Sequence, residues 1–312
     1  MKLFKYIAVS IMLALVAPVA TASPQSGDAA PAPGYITLLI GRGMYGKMTS
    51  GELDPQVLTA DQVAERLQRR KLWAVGNVIV TRTAESTRTV LGGNSYASWS
   101  DWSRLAEIYR WRVISAGTYS LGSDPATIRT ETCDTLPVFY EHGFKRAWGM
   151  YAYPGGRYNA TAAPIIRSCF SYARIYGSQI NTGPDVPEPY NIYAMSLDGG
   201  NCNVEGESCS AVFKRDYDSP ESITSLLSPG PNEWGLVQIY HLVTGSRTPD
   251  GNAPAWDCTG TDWRLHWASK AEYYCAKDFF AAAKAAVRNW PDNVRVASPA
   301  RVAKKWGRGN PN

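Results

Sequence analysis

Short apolar runs and amphipathic helical stretches alternate along almost the whole chain, and few folds accommodate that alternation. The first run, Ile36 to Ile40, ends in Gly41-Arg42-Gly43 and reads as a buried strand (Tyr35–Ile40) followed by a tight turn. Further strands are expected at Asn77–Thr81, Arg112–Ser115, Ala147–Tyr153, Tyr172–Tyr176, Tyr190–Ser196, Trp234–Val243 and Val294–Ala297. Between them a 3.6-residue period marks helices. One runs from about Thr59 to Arg70, with Thr59 and Gln62 placed as a capping box, and a second from Trp99 to Trp111 behind Ser98. Others are expected over Pro125–His142 behind Asp124, over Ala160–Cys169, over Pro220–Leu227 and over Ser269–Trp290. Such alternation builds a parallel α/β sheet, and about eight strands in one domain length favour a barrel. Chemistry in such sheets gathers on the loops after the strands, so Gly41-Arg42-Gly43 is the first candidate site. Gly41 to Gly46 also matches G-x-G-x-x-G. Lys47 to Pro55 reads as loop where a dinucleotide fold needs a helix, which argues against a nucleotide site.

The start of the chain sets the compartment. Lys2 and Lys5 precede an apolar run, Tyr6 to Pro18, too short for an ordinary membrane span, and Ala20-Thr21-Ala22 follows as a small-residue cleavage site. Residues 1–22 therefore read as a signal peptide and residues 23–34 as a Pro/Ala-rich disordered leader. Residues 35–312 read as a single domain, secreted or periplasmic, with no membrane contact after cleavage. The formal charge of +5 falls to +3 without the two signal lysines and is spread along the chain, which argues against a nucleic-acid partner. Six cysteines in an exported chain imply disulfides with fifteen possible pairings. Local spacing favours Cys202–Cys209, Cys258–Cys275 and then Cys133–Cys169. No C-x-x-C pair occurs, and His142, His241 and His266 are not spaced as partners, so neither a metal nor another cofactor is expected. Eleven Trp and eighteen Tyr suit sugar stacking and suit core packing equally.

The order of segments resembles the polysaccharide deacetylase family, whose domain is a distorted or incomplete (β/α) barrel. Ser98-Trp99-Ser100-Asp101-Trp102 with Leu105 to Trp111, Glu141 to Phe144, Ala152 to Asn159, Gly235 to His241, and Trp263 to Trp306 carry the resemblance across the mature chain. The family places Thr-Phe-Asp-Asp-Gly at the first strand end and paired histidines after the third strand. Here Leu39-Ile40-Gly41-Arg42-Gly43 and Ser115 to Leu121 stand there, with Gly41 and Arg42 for the aspartates and Ala116 and Ser120 for the histidines. Glycine and alanine bind no metal, and Arg42 brings a fixed cation. The resemblance thus implies a barrel that has lost the family's metal-dependent deacetylation, with His241 as the one remaining acid candidate.

Several residues stand out as candidates. Arg42 fits a carboxylate or sulfate on an acidic sugar, or equally a surface pair with an aspartate. His241 reads either as a mouth acid or as a satisfied core histidine. Thr118 and Tyr119 fall where the family's metal pocket would be, and Tyr153 is either a stacking platform or a packed aromatic. Glu85 and Asp198 are the carboxylates best placed for acid–base work. The expected ligand is a cell-wall or extracellular polysaccharide or oligosaccharide. Whether it is only bound, or turned over by a metal-independent hydrolase or lyase or by rearranged metal ligands, stays open at this level.

Overall fold

The computed structural model describes residues 33–117, 121–177, 179–183, 188–197, 220–247, 256–260, 273–290, 292–308 and 310–311. The signal segment, most of the leader, Thr118, Tyr119, Ser120, Asp198, Cys202 and Cys209 lie outside the described residues.

Seven parallel strands close into a barrel: β1 (Tyr35–Ile40), β2 (Ala74–Val78), β3 (Arg112–Ala116), β4 (Tyr151–Ala152), β5 (Ala173–Tyr176), β6 (Ile192–Ser196) and β7 (Glu233–Ile239). Closure comes from β1 pairing with β7 along its whole length, from Tyr35 opposite Trp234 to Ile40 opposite Ile239. The sheet therefore has one strand fewer than expected and no open seam between β7 and β1. Helices α1 (Ala60–Gln68), α2 (Trp99–Tyr109), α3 (Pro125–Glu131), α4 (Leu136–Glu141), α5 (Ala162–Arg167), α6 (Pro220–Leu226), α7 (Ala276–Arg288) and α8 (Pro299–Lys305) accompany it. On the outer face Trp102 of α2 lies against Gly76, where any side chain would collide with the indole.

Side chains alternate across each strand, and bonds between non-adjacent strands fix which set points inward. Asn77 of β2 donates to Gln238 of β7 across β1, and Gln238 donates to Tyr176 of β5 across β6. Thr37 and Leu39, Val75 and Asn77, Arg174 and Tyr176, and Trp234, Leu236 and Gln238 thus face the barrel interior. The C-terminal segment covers the N-terminal end of the barrel. Trp306 packs edge-on against Tyr35 and Trp234, Thr37 donates to the Ala297 carbonyl at 2.7 Å, and Ala300 lies against Gly149.

Three helix starts follow their sequence caps. Thr59 and Gln62, and Ser98 and Asp101, form reciprocal capping boxes, and Asp124 accepts from the Thr127 amide. Elsewhere tertiary pairing reshapes the expectation. The second strand begins at Ala74, because β2 must register with Leu38–Ile40 of β1. The helix expected over Pro125–His142 divides into α3 and α4 around a 3-10 turn at Cys133–Thr135, and only Tyr151–Ala152 of the fourth expected strand pairs. Trp234–Val243 breaks at Tyr240, where His241–Val243 leaves the barrel to pair with Tyr273–Cys275. Arg295–Val296 forms no barrel strand and instead clips the start of β1. The stretch read as loop after Gly46 is a hairpin, Met44–Thr49 with Glu52–Leu53, joined to Asn94–Tyr96 and Thr89–Leu91 in a four-stranded antiparallel sheet. No helix opens after Gly43, which removes the dinucleotide reading.

Two disulfides join Cys133 to Cys169 and Cys258 to Cys275, as the spacing suggested. No helix among the described residues is long and apolar enough to cross a membrane.

An ion-pair cluster ties α1 to α2. Arg88 grips both oxygens of Asp101 at 2.9 Å, Arg104 bridges Asp101 and Asp61, and the Tyr45 hydroxyl hydrogen-bonds Asp61. Burial raises the Asp101 carboxyl, but hydrogen bonds from Arg88, the Ser98 amide and Arg104 outweigh it and hold the pKa at about 2. A folded pKa below the unfolded value of about 3.9 gives stability that is complete above that value and fades as pH falls towards 2. Asp101→Asn is therefore expected to cost about 2 kcal/mol at neutral pH and little at pH about 2. Urea unfolding across that range checks it, and an equal loss at both ends would place the effect in packing rather than charge.

Candidate functional site

The C-terminal ends of the parallel strands carry the polar side chains that an apolar barrel cannot otherwise explain. Asn77 Nδ2 donates to Gln238 Oε1 at 3.0 Å, Gln238 Nε2 to the Tyr176 hydroxyl at 3.3 Å, and Tyr176 hydrogen-bonds Tyr240. All four side chains are buried, and the chain of amides and phenols spans the mouth from β2 to the residue after β7. Asn77 Oδ1 has no partner among the described residues. The Tyr176 ring lies against Gly156 and the Tyr240 ring against Gly41, so both positions are closed to side chains. A Cβ at Gly41 would stand 2.5 Å from Tyr240 Cε1.

This crossing decides whether a divalent metal fits. The first strand ends in a 3-10 turn at Gly41–Gly43, with Tyr240 filling the space a first-motif carboxylate would need. The third ends in Ala116. Among the described residues no three His, Cys, Asp or Glu side chains come together. The described residues therefore do not fit the metal that the family resemblance implies.

Gly41-Arg42-Gly43, Ala116 and His241 lie at the same end of the barrel, after β1, at the end of β3 and after β7. His241 is nevertheless turned away from the interior. Alternation along β7 sends Gln238 and Tyr240 inward, while His241 stacks on Tyr273 with centroids 5.2 Å apart. Its Nε2 stands 3.3 Å from Asn94 Oδ1, which also accepts from Lys47. Glu85 sits outside the barrel, its side chain 79% exposed and 3.4 Å from His142 Nε2, while His142 stacks on Trp99. Tyr153 is 1% exposed, packed between Tyr151 and Tyr158, and burial pushes its phenol up. That is the packed-aromatic alternative, with no ring face open to a sugar. Asn159, in a glycosylation sequon, is buried and spends its amide on the Gly122 carbonyl and the start of α5.

A cleft of about 490 Å³ opens beside β3, lined by Val80, Thr81, Ala116 and Thr127 with the carboxylates Glu131 and Asp134. Its volume suits a small-molecule or oligosaccharide unit. Glu131, Asp134, Asn77, Gln238, Tyr176, Tyr240 and Arg174 were not singled out from sequence. The available signal was a polar residue inside an otherwise apolar strand, as in Val75-Gly76-Asn77-Val78 and Leu236-Val237-Gln238-Ile239.

No protein-family model matches the chain, and none of the curated proteins matches it. Among solved structures it is similar to IcaB from Ammonifex degensii, at 18% identity and a TM-score of 0.33, over 46% of this chain and 84% of that one.

Proposed function

We propose that this chain is an exported, deacetylase-like barrel protein that binds cell-wall or extracellular polysaccharide at its mouth without metal-dependent deacetylation. The observation that carries the reading is the amide–phenol chain Asn77–Gln238–Tyr176–Tyr240 at the C-terminal end of the barrel, the end at which Ala116 lines a cleft. Primary amides and phenols both donate and accept, which matches the vicinal hydroxyls of a sugar. On the family resemblance Gly41 and Ala116 stand where a metal would need ligands, and the Tyr240 ring packs on Gly41.

Binding to a glycan array, followed by calorimetry on the best ligand, tests the proposal. Tyr240→Phe removes one hydroxyl of the mouth and is expected to weaken the wild-type affinity about tenfold while leaving the fold intact. A wild-type protein that binds no glycan would sink the reading.

A second reading, metal-independent hydrolysis or elimination, is favoured by Glu131 and Asp134 lining one cleft. Glu85 and Asp198, the carboxylates chosen from sequence, remain proposals for that role. Release of new reducing ends or unsaturated products from a bound glycan would select it over binding alone.

A further inference from the structure

We infer that Arg174 makes the mouth selective for an acidic saccharide, its guanidinium taking the carboxylate or sulfate of the bound sugar. This deepens the carbohydrate reading and rests on it.

Arg174 lies on the inward face of β5, two residues before Tyr176, and is 3% exposed. Its Nε and Nη1 are sealed from solvent and have no hydrogen-bond partner among the described residues. No carboxylate among the described residues forms an ion pair with it. Instead the guanidinium lies 4.8 Å from the centroid of the Tyr176 ring, a cation–π contact that offsets part of the lost hydration. Arginine cannot shed its proton to escape burial, as a lysine or histidine can. The folded chain thus holds a fixed interior cation with donors left open, which is costly unless an anion completes it.

The residues in register with it are small. Across the sheet, Arg174 is in register with Ala152 of β4, and Ala152 with Ala116 of β3. Both neighbours in register are alanines, and Ala116 also lines the cleft. Glu131 and Asp134 on the outer wall repel an anion there, so the negative group of a ligand is favoured at Arg174 and its neutral hydroxyls at the amides and phenols. A uronate carboxylate and a sulfate ester share this chemistry, both accepting from the guanidinium in charge-assisted hydrogen bonds.

The test compares wild type with Arg174→Met and Arg174→Lys. Sodium sulfate, against sodium chloride at equal ionic strength, is expected to raise the wild-type Tm a few degrees more than that of Arg174→Met, with Arg174→Lys between them; the shift that Arg174→Met retains is the general stabilising effect of sulfate. Without added anion, Arg174→Met should melt no lower than wild type, because it removes an unpaired buried charge. Calorimetry with a trigalacturonate and its methyl ester, and with a sulfated oligosaccharide and its desulfated form, separates the two sources. Wild type should favour one acidic form by about tenfold or more, and Arg174→Met should lose the preference while keeping the neutral affinity. Equal sulfate shifts in wild type and Arg174→Met, a preference that survives Arg174→Met, or a lower-melting Arg174→Met would each overturn the inference. A sulfate response that depends on Arg174, without binding of any saccharide, would instead reject the carbohydrate reading and leave an anion site.

Discussion

Serine at both Cys133 and Cys169 is expected to lower stability by about 4 kcal/mol, the largest loss foreseen for any covalent change in the chain. The bridge spans a sequence separation of 36 and joins the turn between α3 and α4 to the end of α5. The enclosed segment includes β4, which pairs through only Tyr151 and Ala152. Opening the link returns the loop-closure entropy to the unfolded chain, while the shortest barrel strand has little ladder of its own to resist. Urea unfolding of the double serine variant measures the loss. A drop below about 1 kcal/mol would show that the unfolded chain holds these segments together without the bond.

Gly235→Ala is expected to cost about 3 kcal/mol or more. A methyl group on Gly235 of β7 would overlap the main-chain carbonyl oxygen of Leu226, the last residue of α6. A side chain in that place could rotate aside, but a backbone carbonyl moves only with its helix. α6 packs against α7, so the strain spreads into the outer layer. Because Gly235 pairs with Ile36 across the seam that closes the barrel, β7 cannot retreat without breaking closure. Thermal unfolding checks this, and an unchanged Tm would mean that α6 rides outward freely.

The helix starts at Thr59, Ser98 and Asp124 were legible because a cap is local: the residue and its partner are three apart and need no other element. Cys258–Cys275 was legible for a related reason, since a short separation narrows the pairing, and Cys133–Cys169 was then the pair left over. The hairpin after Gly46 was not, because Met44–Thr49 is held by Asn94–Tyr96, about fifty residues later, and Lys47 and Thr49 give no apolar alternation of their own. The strand at Ala74 was displaced for the same reason, its limits being set by β1 rather than by its own composition.

The candidate site divides along the same line. The turn at Gly41–Gly43, Ala116 and His241 were found at one end of the barrel because every parallel strand delivers its C-terminal end there. Which side chains turn inward depended on the phase of the two-residue period, and a shift of one residue exchanges the two faces. Sequence pointed to His241, whereas register sends Tyr240 into the mouth and His241 against Tyr273.

By itself the sequence determined the alternating α/β character, the local caps, the cysteine links at short separation and the lack of carboxylates at the first strand end. These follow from side-chain chemistry and from contacts a few residues apart. Only the tertiary structure decided that seven strands close into a ring, that Tyr240 fills the space above Gly41, and that the Arg174 guanidinium is buried against Tyr176. Those facts depend on strands distant in the chain meeting in one register, and no local stretch encodes the phase at which they meet.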